Sequence, residues 1–291
     1  MNIGYIGLGK MGAGMVALLQ EKGHDVSTYT KSGGGTTQST SSLVASLSAP
    51  RLVWIMVPHA ATQGVIDELL PLMEKGDTII DGGNSPYQES IRRAKVLQEK
   101  GIVFLDAGVS GGPAGARNGA CIMVGGEADA FTQLEWLWKD LSAPDAYGYM
   151  GPAGAGHFTK MVHNGIEYGM MQSLAEGFDL LHHSKEFALD MTKVTTVYAT
   201  GSVINSRLVS WLLHAYQTHG DDLTDITGSA SATGEGAWTK LAAEREGIAV
   251  PALDAALAAR AASQTTPSYQ GKVISALRNE FGGHAAGTDA K

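Results

Sequence analysis

The chain has 291 residues, a net charge of −8 and a single cysteine, Cys121. That length allows one large domain or two ordinary ones. One cysteine excludes an internal disulfide framework and any zinc site built from several cysteines. Apolar residues make up 44%, close to the globular norm, so general disorder is excluded as well. No apolar run approaches the ~18 residues that cross a bilayer. The opening Met1-Asn2-Ile3-Gly4-Tyr5-Ile6-Gly7 has no basic stretch and no cleavage site, so a soluble cytoplasmic protein is expected. Residues 1–151 carry 11 basic and 15 acidic side chains, and residues 152–291 carry 10 and 14. Neither part offers the basic stripe of a nucleic-acid binder. Glycine is the anomaly, with 38 residues, or about 13% against a usual ~7%.

In chain order, short apolar runs predict strands at Asn2–Ile6, Val26–Tyr29, Leu52–Val57, Thr78–Asp81, Val103–Asp106 and Cys121–Val124. Amphipathic segments between them predict helices at Met11–Lys22, Ala61–Met73, Ser85–Lys100 and Ala128–Leu141. Alternating strands and helices imply βαβ units and a parallel sheet wound on both faces. The pattern changes at Gly151-Pro152-Ala153-Gly154-Ala155-Gly156. One long helix is predicted over His157–His183, then helices at Asp190–Ala199, Ser206–Tyr216, Gly236–Glu246 and Pro251–Ser263. The expected fold class is α/β: a doubly wound Rossmann sheet over residues 1–153, then an all-helical domain over residues 154–291. The tail after Gly282 is expected to be mobile. Cys121, in an apolar strand, is expected in the core.

The glycines cluster at strand ends. Gly7-Leu8-Gly9-Lys10-Met11-Gly12 follows one predicted strand and opens a helix, as a dinucleotide-binding loop must. Gly7 makes the turn, Gly9 admits a pyrophosphate, Gly12 lets helix and sheet pack, and the helix N-terminus favours the anion. A glycine-rich turn that holds another phosphate is the alternative. The second strand ends in Tyr29-Thr30-Lys31-Ser32, without the acid that would bond the 2′-hydroxyl of NAD. Thr30, Lys31 and Ser32 favour the 2′-phosphate of NADP, although a solvated lysine would leave either cofactor possible. Val57-Pro58, Asp81-Gly82-Gly83-Asn84-Ser85 and Val109-Ser110-Gly111-Gly112-Pro113 also follow predicted strands. In a parallel sheet such ends open on one ligand-binding edge; ordinary turn chemistry is the competing reading.

Lys160, His163, Asn164 and Glu167 occur at i, i+3, i+4 and i+7, so they share one face of the long helix, with Tyr168 beside them. A solvated face is the competing reading. A base, a hydrogen-bonding pair and an acid directly after a nucleotide-binding unit favour a site. No metal is expected, because His163 and Glu167 have no second His or Cys nearby on this face and Lys160 would repel a cation.

Those motifs, with Lys160-Met161-Val162-His163-Asn164-Gly165-Ile166-Glu167-Tyr168, resemble the short form of the decarboxylating 6-phosphogluconate dehydrogenases, within the β-hydroxyacid dehydrogenase family. The resemblance implies that Lys160 is the general base at the C3 hydroxyl and that Glu167 protonates the enediol left by decarboxylation at the carbon that becomes C1 of ribulose 5-phosphate. It implies cofactor contacts from Gly7 to Gly12, from Thr30, Lys31 and Ser32, and from Val57, Pro58 and Asn84. It gives Asn84, Ser110, Gly111, Gly112, His163 and Asn164 to the substrate's carboxylate and hydroxyls, and Tyr168, Thr239 and Arg260 to its phosphate. It also implies a homo-oligomer in which Arg278 and His284 reach a neighbouring subunit's site. One position departs from the family: Ala237 stands where a basic residue usually precedes the Trp-Thr pair, here Trp238-Thr239. The rival readings are a dehydrogenase of a smaller β-hydroxy acid and a nucleotide sensor without catalysis.

Overall fold

The computed structural model describes residues 2–287. Met1 and Thr288, which figure in the readings above, lie outside the described residues. The strands are β1 (Asn2–Ile6), β2 (Asp25–Tyr29), β3 (Leu52–Ile55), β4 (Thr78–Asp81), β5 (Val103–Ser110), β6 (Ala120–Gly126) and β7 (Ser142–Gly151). The helices among them are α1 (Lys10–Glu21), α2 (Thr40–Ala45), α3 (His59–Leu69), α4 (Tyr87–Gln98), α5 (Gly112–Asn118), α6 (Ala128–Gln133) and α7 (Glu135–Leu141). Every element described after Gly151 is a helix: α8 (Ala155–His182), α9 (Met191–Ala199), α10 (Arg207–His219), α11 (Glu235–Arg245), α12 (Pro251–Ser263) and α13 (Tyr269–Gly282). The chain divides into two compact units, residues 1–161 and 162–291, and the division falls inside α8.

The first unit is a seven-stranded sheet in the order β2-β1-β3-β4-β5-β6-β7, with β1 to β5 mutually parallel and β6 antiparallel to β5. Side chains alternate between the faces of a strand. Ile3, Tyr5, Trp54, Ile80 and Leu105 therefore enter one core layer with α1 and α7. Val53, Ile55, Ile79 and Phe104 enter the other, with α2, α3 and α4. Burial on both faces is why these strands read as unbroken apolar runs. The second unit is all-helical. On α8, Tyr168, Met171, Ala175 and Phe178 recur at helical spacing and pack with Leu212 and Tyr216 of α10 and with Val273 and Leu277 of α13.

Several expectations need correction. The helix expected over Ala128–Leu141 is two helices, because the backbone of Leu134 leaves the helical region (φ −98°, ψ 16°). Serine-rich Thr40–Ala45 is a helix, started by a capping box between Ser39 and Ser42. Strand β7 is mostly exposed or half-buried, so it shows no core pattern. Cys121 is exposed, since it lies on the face of β6 opposite buried Ala120 and Ile122. The tail folds back as far as it is described. Asn279 Nδ2 donates to the His284 carbonyl at 2.8 Å, the Thr227 amide donates to the Ala286 carbonyl at 3.2 Å, and Ala286 is buried. No helix among the described residues is long and apolar enough to cross a membrane.

Candidate active site

Because β1 to β5 are parallel, the loops that follow them open on one edge of the sheet. The Gly7–Gly12 loop lies there. Its Gly7 has φ 104°, and the Gly7 amide donates to the Tyr29 carbonyl at 2.8 Å, which ties the loop to the end of β2. A Cβ on Gly12 would overlap the Gly7 carbonyl, so the loop closes tightly on the start of α1. Thr30, Lys31 and Ser32 follow β2; Lys31 is exposed, and the Thr30 and Ser32 hydroxyls are 3.3 Å apart. Asp25 sits at the opposite end of β2, where it accepts from Asn2 Nδ2 at 2.8 Å. Val57 and Pro58 lead into α3. Asn84 stands in the loop after β4 with φ 54°. Ser110 ends β5, and Gly111 and Gly112 open α5.

The start of α8 is fixed to β5 by two features. Asp106, fully buried, accepts the Gly154 amide at 2.6 Å and the His157 amide at 2.7 Å, and so satisfies two donors that a helix start leaves open. Two residues along β5, a Cβ on Gly108 would overlap the Cβ of Lys160. Only glycine lets α8 approach this closely, and Lys160 is buried as a result. His157 Nδ1 lies 2.7 Å from Ser90 Oγ and braces the same turn against α4.

Farther along α8, within the second unit, His163 Nδ1 lies 2.9 Å from Asn164 Oδ1 and 3.9 Å from Glu167 Oε2. The stripe is thus self-contacting, with Glu167 more covered than His163. Next to it, Arg260 stacks over the Tyr168 ring at 3.6 Å from the centroid. Arg260 is only 3% exposed and Arg278 only 6%. Both converge on Ser231: Arg260 Nη1 donates to its carbonyl at 3.3 Å and Arg278 Nη1 to its hydroxyl at 2.5 Å. Burial, with the neighbouring Arg278 charge adding to it, pulls Arg260 down to about 10, so it stays cationic at neutral pH. Burial also lowers Arg278, and Glu167 and Glu235 oppose the shift in both. Thr239 is buried against Gly165 and donates to the Glu235 carbonyl at 2.9 Å. Ala237 is exposed, and Lys240 is paired with Asp254 at 2.7 Å, so Lys240 does not take the place of the missing base.

The two units therefore bring together two sets of the expected residues. The sheet edge gathers the glycine loops, Asn84 and Ser110, with Lys160 seated on Gly108 beside them. The second unit gathers His163, Asn164 and Glu167, and close by Tyr168, Arg260 and Arg278. Arg278 is directed into its own chain, and His284 folds back on α13, its amide donating to the Arg278 carbonyl at 3.4 Å. The sequence reading missed Asp106, Ser231 and Glu235. Asp106 is a carboxylate in an otherwise apolar strand, which is a signal that something pairs it. Ser231 and Glu235 lie at a helix start whose N-cap, Gly234, makes no side-chain cap bond, so no local signal marks them. Among the described residues no three His, Cys, Asp or Glu side chains are grouped as a metal site requires.

Comparison with known proteins identifies the family of both units. Residues 2–151 match the family described as the NAD binding domain of 6-phosphogluconate dehydrogenase, and residues 156–285 match the 6-phosphogluconate dehydrogenase C-terminal domain. The chain is 43% identical to the Bacillus subtilis protein YqeC, whose own assignment as a 6-phosphogluconate dehydrogenase is provisional, over 98% of this chain and 99% of that one. It is 36% identical to the NAD(+)-dependent, decarboxylating 6-phosphogluconate dehydrogenase of Haloferax volcanii, over 98% of each. Among solved structures, Plasmodium falciparum 6-phosphogluconate dehydrogenase, solved apo, with NADP+ and with 6-phosphogluconate, superposes with a TM-score of 0.80 at 32% identity. That match covers 90% of this chain and 62% of the longer Plasmodium chain.

If the Asp106 carboxylate anchors the start of α8, Asp106→Ala should cost about 1–3 kcal/mol in urea unfolding, the cost of leaving buried donors unmet. Unchanged stability would show that the helix start is held by something else.

Proposed function

The chain belongs to the 6-phosphogluconate dehydrogenase family of NAD(P)-dependent oxidoreductases, and we propose that it oxidatively decarboxylates 6-phosphogluconate to ribulose 5-phosphate and CO₂. The observation that carries this reading is the seat of Lys160. It lies buried on Gly108, beside the strand ends where a nicotinamide cofactor belongs, and at the head of the stripe His163, Asn164 and Glu167. The residues present fit such a cofactor: the Gly7–Gly12 loop is a cradle that a side chain at Gly12 would fill, and it opens helix α1.

When bound, the nicotinamide accepts the hydride released from C3. Lys160 takes the C3 hydroxyl proton, which requires that it be neutral at the start. Protonated Lys160 then donates to the new C3 keto oxygen, which draws electrons toward C3 as the C1 carboxylate leaves as CO₂. Glu167 supplies the proton that the resulting enediol takes up at its terminal carbon. Asn84, Ser110, Gly111, Gly112, His163 and Asn164 hold the carboxylate and hydroxyls. Tyr168, Thr239 and Arg260 hold the phosphate, and in a homo-oligomer Arg278 and His284 complete a neighbouring subunit's site. Ile166, Met170 and Val203 expose apolar surface around a cavity of about 850 Å³ in the second unit, and a second copy would cover that surface.

Ala237 favours one second reading, oxidation of a smaller β-hydroxy acid without a phosphate, by the same lysine chemistry. Initial rates on 6-phosphogluconate and on 3-hydroxyisobutyrate separate the two: only the former should turn over, and Lys160→Ala should abolish that rate. Turnover of 3-hydroxyisobutyrate alone supports the second reading. Cofactor binding with no turnover of either would leave a nucleotide sensor.

We assign the cofactor as NADP, because exposed Lys31 with Thr30 and Ser32 follows β2 where NAD would meet an acid, and Asp25 is at the far end of that strand. Lys31→Ala should raise KM for NADP more than for NAD. Equal effects on both would refute a contact with the 2′-phosphate.

A further inference from the structure

Beneath the loop that carries Asn84 lies a charged pair that none of the steps above uses. Asp81 ends β4 with its carboxylate fully buried, and Arg93 of α4 has a side chain only 3% exposed. Arg93 Nη1 donates to Asp81 Oδ2 at 2.8 Å and to Ser85 Oγ at 2.8 Å. Ser85 Oγ in turn donates to Asp81 Oδ2 at 2.8 Å, and Asp81 Oδ1 accepts the Gly83 amide at 3.0 Å. The Arg93 Nε donates to Gln63 Oε1 of α3 at 3.2 Å, and Gln63 also receives Arg92 Nη2 at 2.7 Å. Asp81 therefore grips the loop on both sides of Asn84, at Gly83 and at Ser85. Arg93 locks that grip to two helices.

Two physical arguments make this more than a packing detail. Burying a carboxylate and a guanidinium costs so much desolvation that an apolar pair of the same volume often folds as well or better. Stability alone is therefore a poor reason for the pair to be here. Second, the residue between the two gripped positions is Asn84, with φ 54°, a left-handed backbone that asparagine reaches more readily than other residues with a side chain but that is still the less favoured one. The grip brackets it on both sides.

We propose that Arg93 and Asp81 are positioning residues. Acting through Ser85 and the Gly83 amide, they hold Asn84 in its left-handed turn at the sheet edge, so that its side chain meets the nicotinamide end of the cofactor and the substrate. The proposal rests on the reading of Asn84 given above. Arg93 touches neither ligand.

The test uses the full-length protein and three variants: Arg93→Met, the double variant Arg93→Met/Asp81→Asn, and Ser85→Ala. Arg93→Met strands a buried carboxylate and is expected to lose stability. The double variant removes both charges and should regain it. Two readouts then separate positioning from folding. The first is the ratio of the dissociation constants for 2′-phospho-ADP-ribose and NADPH, which isolates the nicotinamide end. The second is kcat and KM for the hydroxy acid that the wild type oxidises. In the folded double variant 2′-phospho-ADP-ribose should bind as in wild type, the ratio should shrink, and kcat/KM should fall by about 10²-fold, the usual cost of a displacement near 1 Å. Ser85→Ala, which deletes only the shared hydroxyl, should move both readouts in the same direction. A double variant that is stable and has the wild-type ratio and kcat/KM would overturn the proposal and leave the pair a folding element. If the double variant does not fold, wild-type values in Ser85→Ala overturn it equally. If the wild type oxidises no hydroxy acid, the functional reading fails separately, and the binding ratio still decides the positioning claim.

Discussion

The structure depends on one junction, where the start of α8 is fastened to β5. A buried carboxylate, Asp106, caps the helix, and a missing side chain, at Gly108, lets the helix lie against the strand. The two residues are neighbours in one strand but act in opposite ways. Asp106 adds a strong, charge-assisted acceptor pair. Gly108 removes bulk. Together they fix the first turns of α8 against β5. Helical geometry then sets the rest: once Lys160 faces the strand end, His163, Asn164 and Glu167 follow on the same face without further instruction. The proposed chemistry needs a base placed to within a fraction of an ångström, and a capped helix packed on a sheet supplies that more firmly than a loop would.

The second constraint is electrostatic. A chain of net charge −8 is proposed to hold anionic ligands. At the proposed phosphate site of the second unit, two guanidiniums are buried beside an aromatic ring. Arg260 stays charged despite burial because its value falls only to about 10. Stacking on Tyr168 and the bonds to Ser231 compensate part of the desolvation.

The sheet was legible because strands buried on both faces read as apolar runs closed by a proline or glycine turn. Leu52–Ile55 and Thr78–Asp81 are the clearest cases. Strand β7 was not legible, since Ser142–Gly151 is half exposed and mixes proline, glycine and tyrosine without alternation. Helix α13 carried a readable signal in Val273, Ile274 and Leu277, yet no helix was predicted there. The same contrast holds at the site. The glycine loops and the α8 stripe lie within a few residues of chain, so spacing exposes them. Asp106, Arg93 and Ser231 act on partners 8 to 51 residues away, and no local pattern records such pairings.

The central claim is that Lys160, seated at this junction, runs oxidation and decarboxylation as one reaction. It is tested most directly with 6-phosphogluconate labelled with ¹³C at C1, following reduced cofactor and labelled CO₂ in the same reaction. The account predicts one ¹³CO₂ for each cofactor reduced. Reduced cofactor that accumulates while the label stays in a six-carbon acid would contradict it.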